Sequence, residues 1–224
     1  MRRLRLEPGG GGNGLSAILS EATFNAMFPY RNPFYTYSGL LNAAAKFPQF
    51  AAAGDTDTRK REVAAFLANV AHETGFLVHI EEINKQVMCQ NWSGDPDCNY
   101  CPPGKMYFGR GPIQLSWSGN YCQASKGLGL GVRLLNEPEL VARDASISWG
   151  TALWFWMTQT GAQGSTSTPH GCIVNNQGFG CTIRAINGAL ECNGGNPAQV
   201  QSRVNNYLDF TNRLGVSPGG NTGC

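Results

Sequence analysis

Two glutamates nine residues apart, Glu73 and Glu82, have the residue type and spacing that could support acid–base chemistry. A pair of carboxyl groups can cleave a glycosidic bond when one protonates the leaving oxygen and the other activates water. Glu73 ends a predicted amphipathic helix, where the negative end of the helix dipole favours the protonated carboxyl that a general acid needs. The alternative is a solvated glutamate at a frayed helix end, and position alone favours that interpretation.

Glu82 can share a site with Glu73 only if the helix ends between them. In one continuous helix, nine residues turn a side chain through about 900°, onto the opposite face. Gly75 can end the helix in a left-handed conformation, and an irregular or extended segment could then return Glu82 to the site. Glu81 competes for this second role, although neighbours in an extended segment point to opposite faces.

The segment 107–117, YFGRGPIQLSW, combines glycines and aromatic rings with an amide and a hydroxyl. This mixture is typical of sugar sites, where rings stack on the pyranose and polar side chains bind its hydroxyl and acetamido groups. The alternative is a buried tight loop whose aromatic rings belong to the core. The two interpretations are evenly balanced.

Other chemistries fit the sequence poorly. The histidines do not form an HExxH motif because position 76 is Phe, and neither a GxSxG elbow nor a phosphate-binding P-loop is found. Zinc-dependent hydrolysis, a serine nucleophile on such an elbow and a phosphate-binding loop are therefore poorly supported. Asn91-Trp92-Ser93 matches a glycosylation acceptor, a short pattern with a high false-positive rate that says nothing about activity.

Composition favours one extracellular domain. The chain has 224 residues, 42% of them hydrophobic and only 14% charged. Its net charge of +2 comes from basic and acidic residues mixed along the chain, which argues against a nucleic-acid partner. The even number of cysteines, eight, indicates disulfides. Cys98 and Cys101 form a CxxC motif, but the second close pair that a zinc site needs is lacking. The sequence contains no run of 18 apolar residues, so no membrane span is predicted.

Helical periodicity dominates the rest of the chain. A turn-rich segment, 81–112, is predicted as loop or short strand. The N-terminal residues 1–14, rich in glycine, are predicted to be a linker or expression remnant, which suggests a preceding carbohydrate-binding module. Predicted helices cover Glu21–Met27, which Ser20 caps, Gly39–Lys46, Glu139–Ala142, Ile147–Met157 and a segment from Asn196 to Gly215. Another helix is predicted to follow Asp57 and Thr58, because Val63, Phe66, Leu67 and Val70 form one apolar stripe.

Five motifs in fixed order, AHETGF, YFGRGPIQLSW, LWFWMT, INGALECNGG and PGGN, resemble the catalytic domain of family 19 glycoside hydrolases over residues 15–224. The likeness is greatest to the compact bacterial members. It implies a mainly α, lysozyme-like, two-lobed fold with a substrate cleft and disulfide staples. It also implies an inverting endochitinase that is secreted, needs no cofactor or metal, and acts on chitin and chitooligosaccharides. We expect a monomer with no nucleic-acid or membrane partner.

The resemblance also implies roles for individual residues. Glu73 would be the general acid and Glu82 the general base, with Ser116 holding the attacking water. Arg203 and Glu191 would support them, and Arg203 is expected to pair with Glu82. The residues expected to contact substrate are Tyr107, Gln114, Asn120 and Asn187.

The family's usual disulfide pairs correspond to Cys89–Cys101 and Cys192–Cys224, which leaves Cys98–Cys122 and Cys172–Cys181 by elimination. Two positions depart from the family pattern. Gly119 stands where an aromatic residue is usual, and Gly150 stands where lysine is usual. We expect these changes to weaken sugar binding without removing a proton-transfer group.

Two other functions remain open at the level of sequence. The first is a chitin-binding protein that has lost activity on the same scaffold, since a fold does not guarantee a function. The second is an endolysin that cleaves peptidoglycan, because its substrate is chemically related to chitin.

Overall fold

The fold is that of a computed structural model, which describes residues 14–161 and 165–224. Residues 1–13, most of the predicted linker, lie outside this range. The described part is mainly α, and its only β pairing consists of the isolated bridges Glu81↔Arg110 and Arg110↔Leu115. The helices are α1 Leu15–Ile18, α2 Glu21–Met27, α3 Tyr37–Ala44, α4 Thr56–Thr74, α5 Ser118–Gly127, α6 Arg133–Asn136, α7 Ala145–Thr158, α8 Pro169–Val174, α9 Phe179–Glu191 and α10 Pro197–Arg213, with 3-10 turns at Pro96–Cys98 and Pro138–Ala142.

Helix α4 is the central element of the fold. Its N-cap residue, Asp55, accepts a hydrogen bond from the backbone N–H of Thr58 at 2.8 Å. Every residue from 62 to 71 is buried, and α10 packs along the helix while α1, α8 and α9 cover its other sides. The single apolar stripe predicted for this helix was therefore too narrow. Because α4 is enclosed, its C-terminal end holds a fixed position.

Aromatic rings join α4 to α7 in the core. The ring centroid of Phe66 lies 5.4 Å from that of Trp156 and 6.2 Å from that of Trp149. Phe50 completes the contact at 5.2 Å from Phe66. All four side chains are at most 2% exposed. Each such aromatic pair contributes about 0.5–1.5 kcal/mol beyond the burial of its surface.

The predicted helices are confirmed where local signals mark their ends. Ser20 caps α2 by accepting from Thr23, and Pro197 opens α10 directly after its cap, Asn196. Helices α5 and α9 were not predicted. Their sequences, SGNYCQASKG and FGCTIRAINGALE, each contain two glycines, which lower the helix propensity.

All four expected disulfides are present. Two of them close and anchor the loop before α5, and the other two fix the two ends of α9. Loop closures of this kind contribute about 2–4 kcal/mol each, which stabilises a fold rich in irregular segments. The bonds are Cys89–Cys101, Cys98–Cys122, Cys172–Cys181 and Cys192–Cys224.

The last nine residues, 216–224, form a C-terminal strap across α9 and α10. The backbone N–H of Gly180 in α9 donates to the carbonyl oxygen of Asn221 at 2.8 Å. On α10, the Tyr207 hydroxyl donates to the carbonyl oxygen of Pro218 at 2.8 Å. The strap thus holds together the two helices that carry Asn187, Glu191 and Arg203.

Replacing Gly180 by alanine should destabilise the protein by about 1–3 kcal/mol, because a Cβ atom there would overlap the carbonyl oxygen of Gly223. The free energy of unfolding from denaturant titration measures this effect. Gly220→Ala is the matched control within the strap, since a Cβ at position 220 meets no atom within 4 Å. Equal stability of the two variants would contradict a tightly seated strap.

Candidate active site

The chain reverses immediately after Glu73 through three consecutive left-handed residues. Gly75, Phe76 and Leu77 have φ values of 57°, 61° and 63°. The strain is offset by hydrogen bonds, because the Thr74 hydroxyl accepts from the backbone N–H of Leu77 at 2.7 Å. The prediction that the helix ends at Gly75 is confirmed. The reversal starts the segment that leads to Glu82.

Glu73 belongs to a charged cluster around Arg203, which is 1% exposed. The Nη2 atom of Arg203 donates to Glu73 Oε1 at 2.5 Å and to Glu191 Oε1 at 2.7 Å, and its Nε donates to Glu191 Oε2 at 2.8 Å. Its Nη1 donates to Asn69 Oδ1 at 3.1 Å. The expectation that Arg203 pairs with Glu82 was wrong, because its donors are directed to the other carboxylates.

The cluster carries two carboxylates for one guanidinium. Burial alone would raise the pKa of Glu191, but the hydrogen bond and charge of Arg203 outweigh it and lower that pKa. Conversely, burial would lower the pKa of Arg203, while Glu73 and Glu191 together raise it. Glu191 therefore stays ionised at neutral pH.

Asn187 connects the cluster to a distortion of α9. Its backbone departs from helical geometry, with φ −145° and ψ 30°, and its Nδ2 donates to Glu191 Oε1 at 2.7 Å. His72 lies beside the same charges, with its Nδ1 3.0 Å from the Ser202 hydroxyl. Burial first, and then the charge of Arg203, lower the pKa of His72, so the ring is neutral at neutral pH.

Glu82 lies in an extended segment on the other side of the reversal. Its backbone N–H donates to the carbonyl oxygen of Gly109 at 2.9 Å. The neighbouring Glu81 pairs with Arg110, Nε to Oε1 at 3.0 Å, and with Lys85 at 2.7 Å. Burial would raise the pKa of Glu81, but these two cations outweigh it and lower that pKa. Glu81 is thus engaged in ion pairs, which leaves Glu82 as the candidate for the second role.

Gly109 lets two polar side chains approach each other. A Cβ atom at this position would lie 2.9 Å from Glu82 Oε2 and 2.9 Å from Gln114 Oε1. Both side chains therefore lie over the bare backbone of Gly109. Gln114 itself is left-handed, with φ 51°, and its Nε2 donates to the carbonyl oxygen of Gly111 at 3.0 Å.

Ser116 and Asn120 extend this second polar group. The Ser116 hydroxyl donates to the carbonyl oxygen of Gln114 at 2.9 Å, and Asn120 Nδ2 donates to the carbonyl oxygen of Ser116 at 2.9 Å. Trp117, which follows Ser116 in the chain, also has a left-handed backbone conformation, with φ 76°. Because the Ser116 proton is already donated, its oxygen is left to accept a hydrogen bond from a ligand or water.

Tyr107 does not line a surface. It is 0% exposed, and its hydroxyl donates to the carbonyl oxygen of Leu135 at 2.8 Å. Burial raises its pKa to about 12, and the ring packs 5.5 Å from that of Tyr121. The expected contact between Tyr107 and substrate was wrong, since this aromatic residue of the motif belongs to the core.

The two departures from the family pattern have packing explanations. A Cβ atom at Gly119 would lie 2.8 Å from Asn91 Cα, so the loop before α5 occupies the space of a side chain there. At Gly150, a Cβ atom would lie 3.0 Å from Leu128 Cδ2, inside the core. Local packing therefore accounts for the glycine at both positions, and the expected weakening of sugar binding stays a prediction.

The predicted site residues thus fall into two polar groups joined by residues 75–81. Asn69 was missed, although a lone amide in an apolar helix is a recognisable signal. In the described residues, no set of His, Cys, Asp and Glu side chains could hold a metal ion, and none of the helices there combines the length and apolar character needed to cross a bilayer. The Glu73 group is Glu73, Asn187, Glu191 and Arg203, and the Glu82 group is Glu82, Gln114, Ser116 and Asn120.

Comparison with known proteins identifies the family. Residues 18–224 match the family described as chitinase class I. Chitinase 4 of Oryza sativa subsp. japonica is 44% identical over 223 residues, covering 96% of this chain and 73% of that protein. Chitinase C of Streptomyces griseus has a solved structure with 51% identity and a TM-score of 0.85, covering 97% of this chain and 83% of its own.

A class IV chitinase of family 19 from Zea mays has 41% identity and a TM-score of 0.80, covering 93% of this chain and 98% of its own. The predicted fold, mainly α, lysozyme-like and stapled by disulfides, is confirmed. The chain belongs to glycoside hydrolase family 19, the family of these chitinases.

Proposed function

We propose that this protein is a secreted endochitinase that cleaves β-1,4-linked N-acetylglucosamine polymers with inversion. The observation that carries the proposal is the separation of the predicted site residues into two polar groups, each built around one glutamate. A single-displacement hydrolysis needs two such environments, because one carboxyl must give a proton while the other takes one. Four disulfides agree with action outside the cell.

Glu73 acts as the general acid. Glu191 stays ionised because Arg203 contacts both of its oxygens, so within the cluster Glu73 is the carboxyl proposed to give the proton. Glu73 Oε1 accepts from Arg203, which leaves Oε2 to carry the proton toward the glycosidic oxygen. The guanidinium also fixes the carboxyl in one orientation, so the transfer needs no rearrangement of the side chain.

Glu82 acts as the general base together with Ser116. A water molecule between them donates one hydrogen to the Glu82 carboxylate and the other to the Ser116 oxygen, which directs its lone pair at the anomeric carbon. As water attacks, the bond from that carbon to the leaving oxygen breaks, Glu82 takes the water proton and Glu73 releases its own. The configuration inverts because attack and departure occur on opposite faces.

The amides of Gln114, Asn120 and Asn187 position the sugar rings. Each already makes one hydrogen bond, to Gly111, Ser116 and Glu191 respectively, which holds it in place while leaving capacity for acetamido and hydroxyl groups. The protein acts on chitin and chitooligosaccharides as a monomer, without cofactor, metal, membrane or nucleic acid. A carbohydrate-binding module before residue 15 remains part of the proposal.

Glu73→Gln should lower turnover on glycol chitin by about 10²–10⁴-fold, because the amide cannot supply the proton. Reducing-sugar release measures turnover, and calorimetry should show that chitooligosaccharide binding is largely retained. Glu137→Gln, which neutralises an exposed carboxylate, is the matched control and should behave as wild type. Turnover retained by Glu73→Gln would remove it from the acid role, and wild-type activity on bacterial cell walls alone would indicate peptidoglycan as substrate.

The first product released from a chitooligosaccharide should be the α-anomer, because single displacement inverts the β-linkage. Proton NMR recorded within the first minutes, before mutarotation, measures the anomer ratio. A buffer control with authentic β-anomer gives the rate of spontaneous mutarotation. Initial formation of the β-anomer would contradict inversion and the water-activating role of Glu82.

Glu191→Gln should destabilise the protein at neutral pH by about 1.5–3 kcal/mol, the contribution of a hydrogen bond to a charged group. The pKa of Glu191 is lowered on folding, so its stabilisation is present above the ordinary glutamate pKa of about 4.3 and is lost as pH falls through the folded value. The gap in unfolding free energy between wild type and variant should therefore narrow from pH 6 to pH 2. A gap independent of pH would contradict this account.

A further inference from the structure

Trp92 is a large aromatic side chain that the proposed mechanism does not use. Its side chain is 62% exposed, and its ring centroid lies 5.1 Å from that of Trp117 in an edge-to-face arrangement at 71°. The three other tryptophans, at positions 149, 154 and 156, are at most 4% exposed. A ligand that covers an exposed indole gains strongly in binding, because the ring offers a large apolar surface.

The loop that carries Trp92 is rigidly built. We call residues 88–101 the stapled loop, because Cys89–Cys101 closes it and Cys98–Cys122 fastens it to α5. From α5, Lys126 Nζ contacts Asp95 Oδ2 and Asp97 Oδ2, both at 2.7 Å. The exposed indole is therefore presented in a fixed position, which lowers the entropy cost of binding.

Asn91 orients Trp92 within this loop. Its Nδ2 donates to Asn99 Oδ1 at 2.6 Å and to the carbonyl oxygen of Asp95 at 3.2 Å, while its Oδ1 accepts from Ser93. Both amide protons of Asn91 are engaged in hydrogen bonds within the loop. The amide serves to fold the loop around Trp92.

The stapled loop lies against the Glu82 group. Asn91 Cα packs over Gly119, and the backbone N–H of Gly119 donates to the carbonyl oxygen of Gln90 at 3.0 Å. Gly119 directly precedes Asn120, and Trp117 directly follows Ser116. Both rings of the pair are thus attached to the backbone that holds the proposed water-binding and substrate-binding side chains.

We infer that Trp92 and Trp117 form an aromatic platform that binds an additional N-acetylglucosamine unit of a chain held by Ser116 and Asn120. The inference rests on the proposed function. The apolar face of a pyranose ring covers an indole, and an uncharged sugar suits a surface where the nearby charges are paired with each other. The unit bound here is not the one cleaved, so the platform selects for long substrates.

Binding of N-acetylglucosamine oligomers from trimer to hexamer tests the platform. The measurement uses the Glu73→Gln protein, in which the oligomers are not cleaved. Trp92→Ala in that background should weaken hexamer binding by about three- to tenfold, with a smaller effect as the oligomer shortens. Trp92→Phe keeps a ring and should restore most of the affinity. Acrylamide quenching of tryptophan emission should fall on hexamer binding, because the accessible indoles become covered.

The outcomes separate the two levels of the proposal. If the hexamer binds Trp92→Ala and its parent equally, or if binding of every oligomer length falls by the same factor, the platform is overturned and the proposed function stands. If wild type neither binds nor cleaves any oligomer, the proposed function fails and the platform with it. A variant that only loses thermal stability, with unchanged hexamer affinity, also overturns the platform and assigns Trp92 a packing role.

Discussion

The buried guanidinium of Arg203 is the interaction on which the site depends. It brings together Glu73 and Asn69 from α4 and Glu191 from α9, while Arg203 itself comes from α10. A buried charge is tolerated only when paired in good geometry, so a small displacement of one helix would leave a charge without its partner. The position of the candidate acid is thus tied to the packing of three helices.

The other half of the site is held by different means. Glu82 and Gln114 lie over Gly109, which makes room for both, and the left-handed residues Gln114 and Trp117 bracket the turn that presents Ser116. Positive φ values at non-glycine residues cost free energy and persist only where surrounding contacts enforce them. One group is therefore fixed by paired charges and the other by backbone conformation, and the reversal after Gly75 joins them.

Local rules predicted local features well. The cap at Ser20 and the helix end at Gly75 depend on a few neighbouring atoms, so the sequence is sufficient to predict them. Family resemblance gave two disulfides directly and the other two by elimination, and it assigned roles to the two glutamates that residue type and spacing had singled out. It did not give the burial of Tyr107 or the partners of Arg203, because both depend on which distant segments pack together. Such contacts are properties of the tertiary structure and leave no periodic signal along the chain.

Helix α4 is buried among other helices from residue 62 to residue 71. A core element of this kind accepts few substitutions, since a change of side-chain volume is transmitted to several neighbours at once. The candidate acid that it carries, Glu73, has little freedom to move during evolution. Divergence in preferred sugar length among related chains is therefore expected to accumulate in peripheral loops such as 88–101, whose covalent staples allow the residues between them to vary without endangering the fold.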